Sequence, residues 1–305
     1  MQGSIERRGA IAIAWFDNPP VNAISHEVRQ GLMGAIDAAV NDEEIKALII
    51  ACRGQTFMAG ADITEFGSSP KPPGLPEVVM AMSESPILKV AAIFGTTLGG
   101  GFETALACDY RIAQAGSKVG LPEVKLGILA GAHGTQRLPR VANVDFALKV
   151  MTSGEPVPVE AAHDAGAVDR VTAGDLIEEA VNYAEELIDA AAPRRPIQDM
   201  TIDKAKYGEE YFTRFRESIA RKTRGLNAPE RSIRCVEAAV NLPFAESVLV
   251  EREMSAVIGG ASARLILDVA KNEQRQPLEQ VAEFVDEASQ VLKFNRDLLQ
   301  STIEN

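Results

Sequence analysis

LGGGFETALACDYRIAQAGSKVGLPEVKLGILAGAHGTQRL, residues Leu98 to Leu138, is the stretch that organises the chain. Gly99, Gly100 and Gly101 open it, with Glu103 directly behind them. The apolar run Ala105–Cys108 continues what reads as a short helix. Glycines at a helix start let backbone N–H groups approach a ligand, and the unpaired first-turn donors favour a negative oxygen. A tight turn or a close helix contact uses the same residues equally well. No G-x-G-x-x-G and no Gly-Lys-Ser/Thr is present, so this is neither a dinucleotide fingerprint nor a P-loop. Glu123 follows in a Leu-Pro-Glu turn, and the Gly-rich segment Gly127–Gly134 leads into Thr135-Gln136-Arg137.

Upstream, Leu88 to Phe94 is a buried strand that delivers the chain into the glycines. Ile45 to Cys52 is nearly all apolar, which suits a strand buried on both faces. Ile11 to Phe16 is the first strand; the preceding Arg7-Arg8 only faintly resembles an export signal, because the apolar run is short and lacks a cleavage site. Ser25 caps a helix with apolar positions Val28, Leu32, Ile36 and Val40. A further helical segment is expected near Asp62, and Ser68 to Gly74 is loop. Alternating strands and helices predict an α/β core with largely parallel strands. From Leu176 the pattern turns helical, with a stripe at Leu176, Ala180, Ala184 and Ile188 broken by Pro193 and Pro196. More helices are expected over 203–224, 229–241, 244–271 and 277–300.

With 305 residues the chain can bury a sizeable core. A net charge of -12 argues against nucleic acid or an anionic membrane as the main partner, and no stretch is long enough to span a bilayer. Three scattered cysteines and three histidines form neither a disulfide framework nor a metal site, so no metal is expected and a cytoplasmic location fits best.

Phe57-Met58-Ala59-Gly60-Ala61-Asp62, Gly99-Gly100-Gly101-Phe102-Glu103 and Leu121-Pro122-Glu123, in this order, resemble the crotonase (enoyl-CoA hydratase/isomerase) superfamily. The likeness runs from about Ile11 to Val171 and includes Ala107–Ala113 and Gly134–Leu138. The segment Lys222–Pro229 and the helix after it resemble the hydratase half of multifunctional fatty-acid β-oxidation enzymes. The resemblance implies an α/β fold: a crotonase-like core of repeated β-β-α units over residues 1–190, with an all-helical C-terminal region over 191–305.

It also implies an acyl-CoA thioester substrate, no separate cofactor (coenzyme A being part of the substrate), and homo-oligomers, trimers or dimers of trimers. Partner β-oxidation enzymes are also implied. By motif position the oxyanion hole is the backbone N–H of Ala61 and of Gly100. Val21, Ala23, Ala59, Ala61, Asp62 and Ile63 would contact coenzyme A. Glu103 would activate water and Glu123 would donate a proton to Cα in the hydration of a 2-enoyl-CoA; the same pair could isomerise a 3-enoyl-CoA. By spacing alone, Glu103 reads sooner as a first-turn helix charge and Glu123 as a solvated turn residue. Thioester hydrolysis is the alternative chemistry, and a non-catalytic acyl-CoA-binding subunit the alternative role. Gly99→Ala, which keeps its N–H, is expected to be mild.

The chain departs from the family pattern at Ala130-Gly131-Ala132-His133-Gly134-Thr135, where His133 stands in a loop that is usually glycine; it is expected at the surface, the alternative being that it tunes Glu123. Leu278, Val281, Val285, Ala288, Leu292, Asn295 and Leu299 form a heptad-like stripe, which predicts that 277–300 is a helix docked on the core or on a second copy.

Overall fold

The computed structural model describes residues 4–62, 65 and 71–256; the helix expected over 277–300 and Ile63 lie outside them. Strand β1 (Ser4–Arg8) turns at Gly9, φ +60°, and pairs antiparallel with β2 (Ile11–Phe16). Its only apolar residue is Ile5, so its sequence carries no strand-like alternation. The parallel strands β3 (Ala47–Cys52), β4 (Leu88–Ile93), β6 (Tyr110–Gln114) and β9 (Arg170–Thr172) extend the sheet in the order β1-β2-β3-β4-β6-β9. A smaller sheet joins β5 (Thr96–Leu98), β7 (Lys118–Gly120) and β8 (Val157–Pro158). This is the expected α/β architecture, two sheets with helices following at the C-terminal side.

Period-two alternation explains why the central strands are apolar throughout. Ile11, Ile13, Ala47, Ile49, Val90 and Ala92 point to one face of the large sheet. There they meet Ala180, Val181, Tyr183, Ala184 and Leu187 of α7 (Leu176–Asp189). Ala12, Ala14, Phe16, Leu48, Ile50 and Ala91 point to the other face. They pack with helices α1 (His26–Asn41), α2 (Leu75–Glu84) and α3 (Gly100–Leu106). Each buried Val, Leu or Ile contributes roughly 1.5–3 kcal/mol relative to exposure.

Ser25 caps α1 by accepting from the Val28 N–H at 3.4 Å. The expected stripe fails at its last position: Val40 is 42% exposed, and Ala39 is buried in its place. Three steps of four residues rotate about 120° around a helix with 3.6 residues per turn, which carries Val40 off the face.

The segment after β7 forms a 3-10 turn at Pro122–Leu126, then α4 (Gly134–Val141), α5 (Val144–Ser153) and α6 (Val159–Asp164). In the C-terminal part, α8 (Glu209–Ile219) and α10 (Phe244–Ser255) fall within segments expected to be helical, and α9 (Ala228–Asn241) starts one residue before its own. Helix α9 packs on both α4 and α5, and α10 packs on α9 and α4. Helix α10 is thereby brought onto the loop that precedes α4. No helix among the described residues is long and apolar enough to cross a membrane.

Candidate active site

Backbone hydrogen bonds zip four distant segments into one ribbon. The Ala59 N–H donates to Val21 C=O at 3.1 Å, and the Ile24 N–H to Gly60 C=O at 2.9 Å. The Leu98 N–H donates to Met58 C=O at 3.2 Å, and the Gly99 N–H to Gly120 C=O at 2.9 Å. Asn22, buried with φ +54°, braces the ribbon: its side-chain N–H groups donate to Arg53 C=O at 2.7 Å and Thr56 C=O at 2.8 Å. Val21, Ala23, Ala59, Ala61 and Asp62, expected to line one groove, are therefore neighbours in space.

The glycine triplet is spent on this junction. Gly99 adopts φ +52°, ψ -128°, a conformation an L side chain rarely takes. A Cβ on Gly101 would stand 1.9 Å from Met58 C=O, so only glycine lets α3 start against the 57–62 segment. At Gly100 a Cβ would lie 3.5 Å from the Ala61 nitrogen, so the start of α3 lies close to the Ala61 amide. Among the described residues neither the Ala61 nor the Gly100 N–H donates to a backbone carbonyl. Gly100 is the first residue of α3, where amides lack an intrahelical acceptor.

Glu103 and Glu123 come to this spot from different elements. Glu103, in the first turn of α3, is buried. Its Oε1 accepts from the Ala132 and Gly134 N–H groups, both at 2.8 Å. Glu123, in the 3-10 turn, has a buried Oε2 without a partner among the described residues. Its Oε1 would be 2.7 Å from a Cβ at Gly99. Neither carboxylate is thus a solvated surface charge.

Burial pushes Glu103 well above the usual carboxylate range, helped by the charges of Glu123 and Glu251 and opposed by the two amide donors. Burial also raises Glu123, to about 7, with Glu251 adding to the shift and its own backbone N–H opposing it. Both groups are thus held toward the protonated form, Glu103 in spite of the two amide donors on its Oε1.

A stability consequence follows. The unfolded Glu123 ionises near 4.5 and the folded one near 7, so between those values the native state holds more protons than the unfolded one. Stability is therefore full below pH 4.5 and falls as pH rises through 7. Glu123→Gln removes this penalty. It should stabilise the protein by up to about 3 kcal/mol at pH 8 and by little at pH 4. Melting temperatures of the two proteins across that range test this; a difference that does not grow with pH contradicts it.

Two features were not foreseen. His133 is buried, not at the surface: it caps α4 with φ +72°, and its ring and backbone N–H both meet Glu251 Oε1 at 3.0 Å. Glu251, on α10, is 1% exposed, and its Oε2 accepts from the Thr135 hydroxyl. A local signal for Glu251 is weak. Ser247 and Glu251, spaced by four, are the buried residues of α10, while Leu249 is 59% exposed, the reverse of an amphipathic pattern. Among the described residues no cluster of His, Cys, Asp or Glu could hold a metal ion.

Comparisons with known proteins assign the chain to a family. The family model described as "Enoyl-CoA hydratase/isomerase" matches residues 6–204. The human "Peroxisomal bifunctional enzyme" is 39% identical over 249 residues, covering 80% of this chain and 34% of that protein. The guinea pig (Cavia porcellus) protein of the same name is 38% identical over 250 residues, with 80% and 34% covered. The chain thus spans about a third of the length of these relatives. The crystal structure of an enoyl-CoA hydratase/isomerase from Pseudoalteromonas atlantica superposes with a TM-score of 0.63 at 20% identity, over 91% of this chain and 99% of that one, a likeness of fold. With the matched family model covering both sheets and both glutamates, the chain is a member of the enoyl-CoA hydratase/isomerase family, the crotonases, which need no cofactor.

Proposed function

We propose that this chain is a 2-enoyl-CoA hydratase. The observation that carries the reading is the meeting of two uncommitted amides, of Ala61 and Gly100, with two carboxylates of unlike surroundings, Glu103 buried and Glu123 half-buried. The thioester oxygen accepts from both amides. Glu103, ionised in the reactive form of the pair, takes a proton from water as the water oxygen bonds to C3. The C2=C3 electrons move toward the thioester oxygen, and the enolate is stabilised where the donors are preorganised. Collapse of the enolate takes the proton of Glu123 onto C2. The pair begins and ends with one proton, displaced from Glu123 to Glu103, and exchange with water resets it. Two carboxyl groups with separated proton affinities suit this division of labour.

Val21, Ala23, Ala59, Ala61 and Asp62 form the groove for coenzyme A in this reading. The division near residue 190, with a helical region braced on α4 and α5, belongs to the same proposal, as do a homo-oligomeric state and β-oxidation partners. Three buried thiols fit a reducing compartment; cytoplasm is proposed, although the relatives are named as peroxisomal.

Isomerisation of 3-enoyl-CoA is the second reading, favoured by one observation: a carboxyl near pH 7 at Glu123 can give and take a proton at almost equal cost. The test is spectrophotometric. With crotonyl-CoA or a longer 2-enoyl-CoA, loss of the conjugated enoyl band without free thiol is hydration. Release of thiol is hydrolysis, and a band that grows from a 3-enoyl-CoA is isomerisation. No change with any of these substrates would leave an acyl-CoA-binding subunit and refute the hydratase.

A further inference from the structure

The loop Ala132–Gly134 is clamped between two carboxylates. On one side Glu103 Oε1 takes the N–H groups of Ala132 and Gly134. On the other, Glu251 Oε1 takes the intervening N–H of His133, and Glu251 Oε2 the Thr135 hydroxyl. The left-handed backbone at His133 is what turns its amide away from those of its neighbours. The position of Glu103 is thus coupled, through three consecutive amides, to a side chain that lies 118 residues from His133 in sequence. The chain resists small shifts here: a Cβ on Gly134 would stand 2.8 Å from Glu103 Oε1.

We propose that Glu251 is a positioning residue for the reaction: it anchors the 132–135 loop through His133 and Thr135 and so holds the Glu103 carboxylate in line with the substrate. This rests on the hydratase reading of Glu103. It assigns the helical C-terminal region a part in the chemistry beyond packing.

The charged and titratable groups around Glu251 come from every element packed there. Helix α4 presents Arg137 and Arg140, whose guanidinium groups lie 5.3 and 5.2 Å from the Phe244 ring centroid, together with the cap His133. Helix α9 presents Cys235, and α10 itself carries Glu246, Arg252 and Glu253. Glu103 and Glu123 both feel the Glu251 charge. Arg137 Nη1 donates to Ala132 C=O at 3.4 Å, so the loop is also tethered from α4. Of these groups Glu251 alone accepts from both His133 and Thr135.

Two variants and two readouts decide the matter. In Glu251→Ala, kcat for a 2-enoyl-CoA falls about 10²-fold with KM within threefold. By hydrogen–deuterium exchange, peptides covering 129–135 lose protection. Glu251→Gln keeps an acceptor for the His133 N–H. It restores kcat to within about tenfold of wild type, and its acidic pH limb moves down by about 0.5–1 unit because a charge that raised both glutamates is gone. Unchanged kcat and unchanged loop exchange in Glu251→Ala overturn the proposal. So does a Gln variant as impaired as Ala with an unshifted pH profile, which would make Glu251 a brace only. Where Glu251→Ala does not fold, the Gln variant decides alone by the same two criteria. A wild-type chain inactive on every enoyl-CoA refutes the hydratase reading instead, and the proposal of a catalytic positioning role falls with it; loop exchange then still reports whether Glu251 holds the loop.

Discussion

Glu103→Gln and Glu123→Gln should each lower hydratase turnover by at least roughly 10³-fold while leaving the fold intact, and the double variant should lose little more. Both substitutions suit the surroundings. A glutamine at position 103 retains one oxygen to accept from Ala132 and Gly134, which now bond Glu103 at 2.8 Å, so the loop keeps its anchor. A glutamine at position 123 fills the same volume as Glu123, whose buried Oε2 has no hydrogen bond to give up among the described residues. In the proposed mechanism each variant removes proton transfer: at 103 the base for water, at 123 the acid for C2. Residues that pass one proton between them fail together, hence the expected non-additivity. Steady-state rates at saturating 2-enoyl-CoA, with melting curves for folding, provide the measurement. Near-normal turnover in either single variant eliminates this mechanism.

Gly100→Pro is the second large effect. Proline at the first residue of α3 suits the helix backbone but deletes the N–H. Loss of one preorganised donor to a developing oxyanion costs roughly 10²–10³ in rate. The control has to be chosen from the structure. Gly99→Ala, expected from sequence to be mild, is unsuitable: φ is +52° and the new Cβ would stand 2.7 Å from Glu123 Oε1. Gly100→Ala keeps the N–H, and its Cβ would meet Leu75 Cδ2 at 2.6 Å, the end of a side chain that can rotate away. Turnover of Gly100→Ala should stay within about tenfold of wild type while Gly100→Pro falls a further 10²-fold or more. Equal activity of the two variants, both folded by thermal melt, would show that this amide does not stabilise the reaction.

The core strands were legible because their signal is local. Ile11–Phe16 and the apolar runs ending at Cys52 and Ile93 announce burial by composition alone, and each is a strand of the large sheet. The strand β1 was not legible, since Ser, Glu and Arg carry no alternation and its pairing to β2 supplies what its own residues lack. At α1, a spacing of four identified the helix but misplaced Val40, because the buried face drifts around the axis. Glu103 and Glu123 stood out through the motif blocks around them; spacing alone allowed both to be surface charges.

By itself the sequence determined the α/β alternation, the family, and the glycines and glutamates that the ribbon brings together. Those are properties of short segments, where residue type and period dictate backbone and burial. Tertiary structure decided what each buried face meets. It put α7 against the outer face of the sheet, took His133 out of the solvent, and left Gly99 no room for a side chain. It also brought Glu251 from α10 to the loop that holds Glu103. A period states that a helix has an inner face, but the partner of that face is set only when distant segments pack. The low dielectric of that packed interior then raises the proton affinity of two ordinary carboxylates.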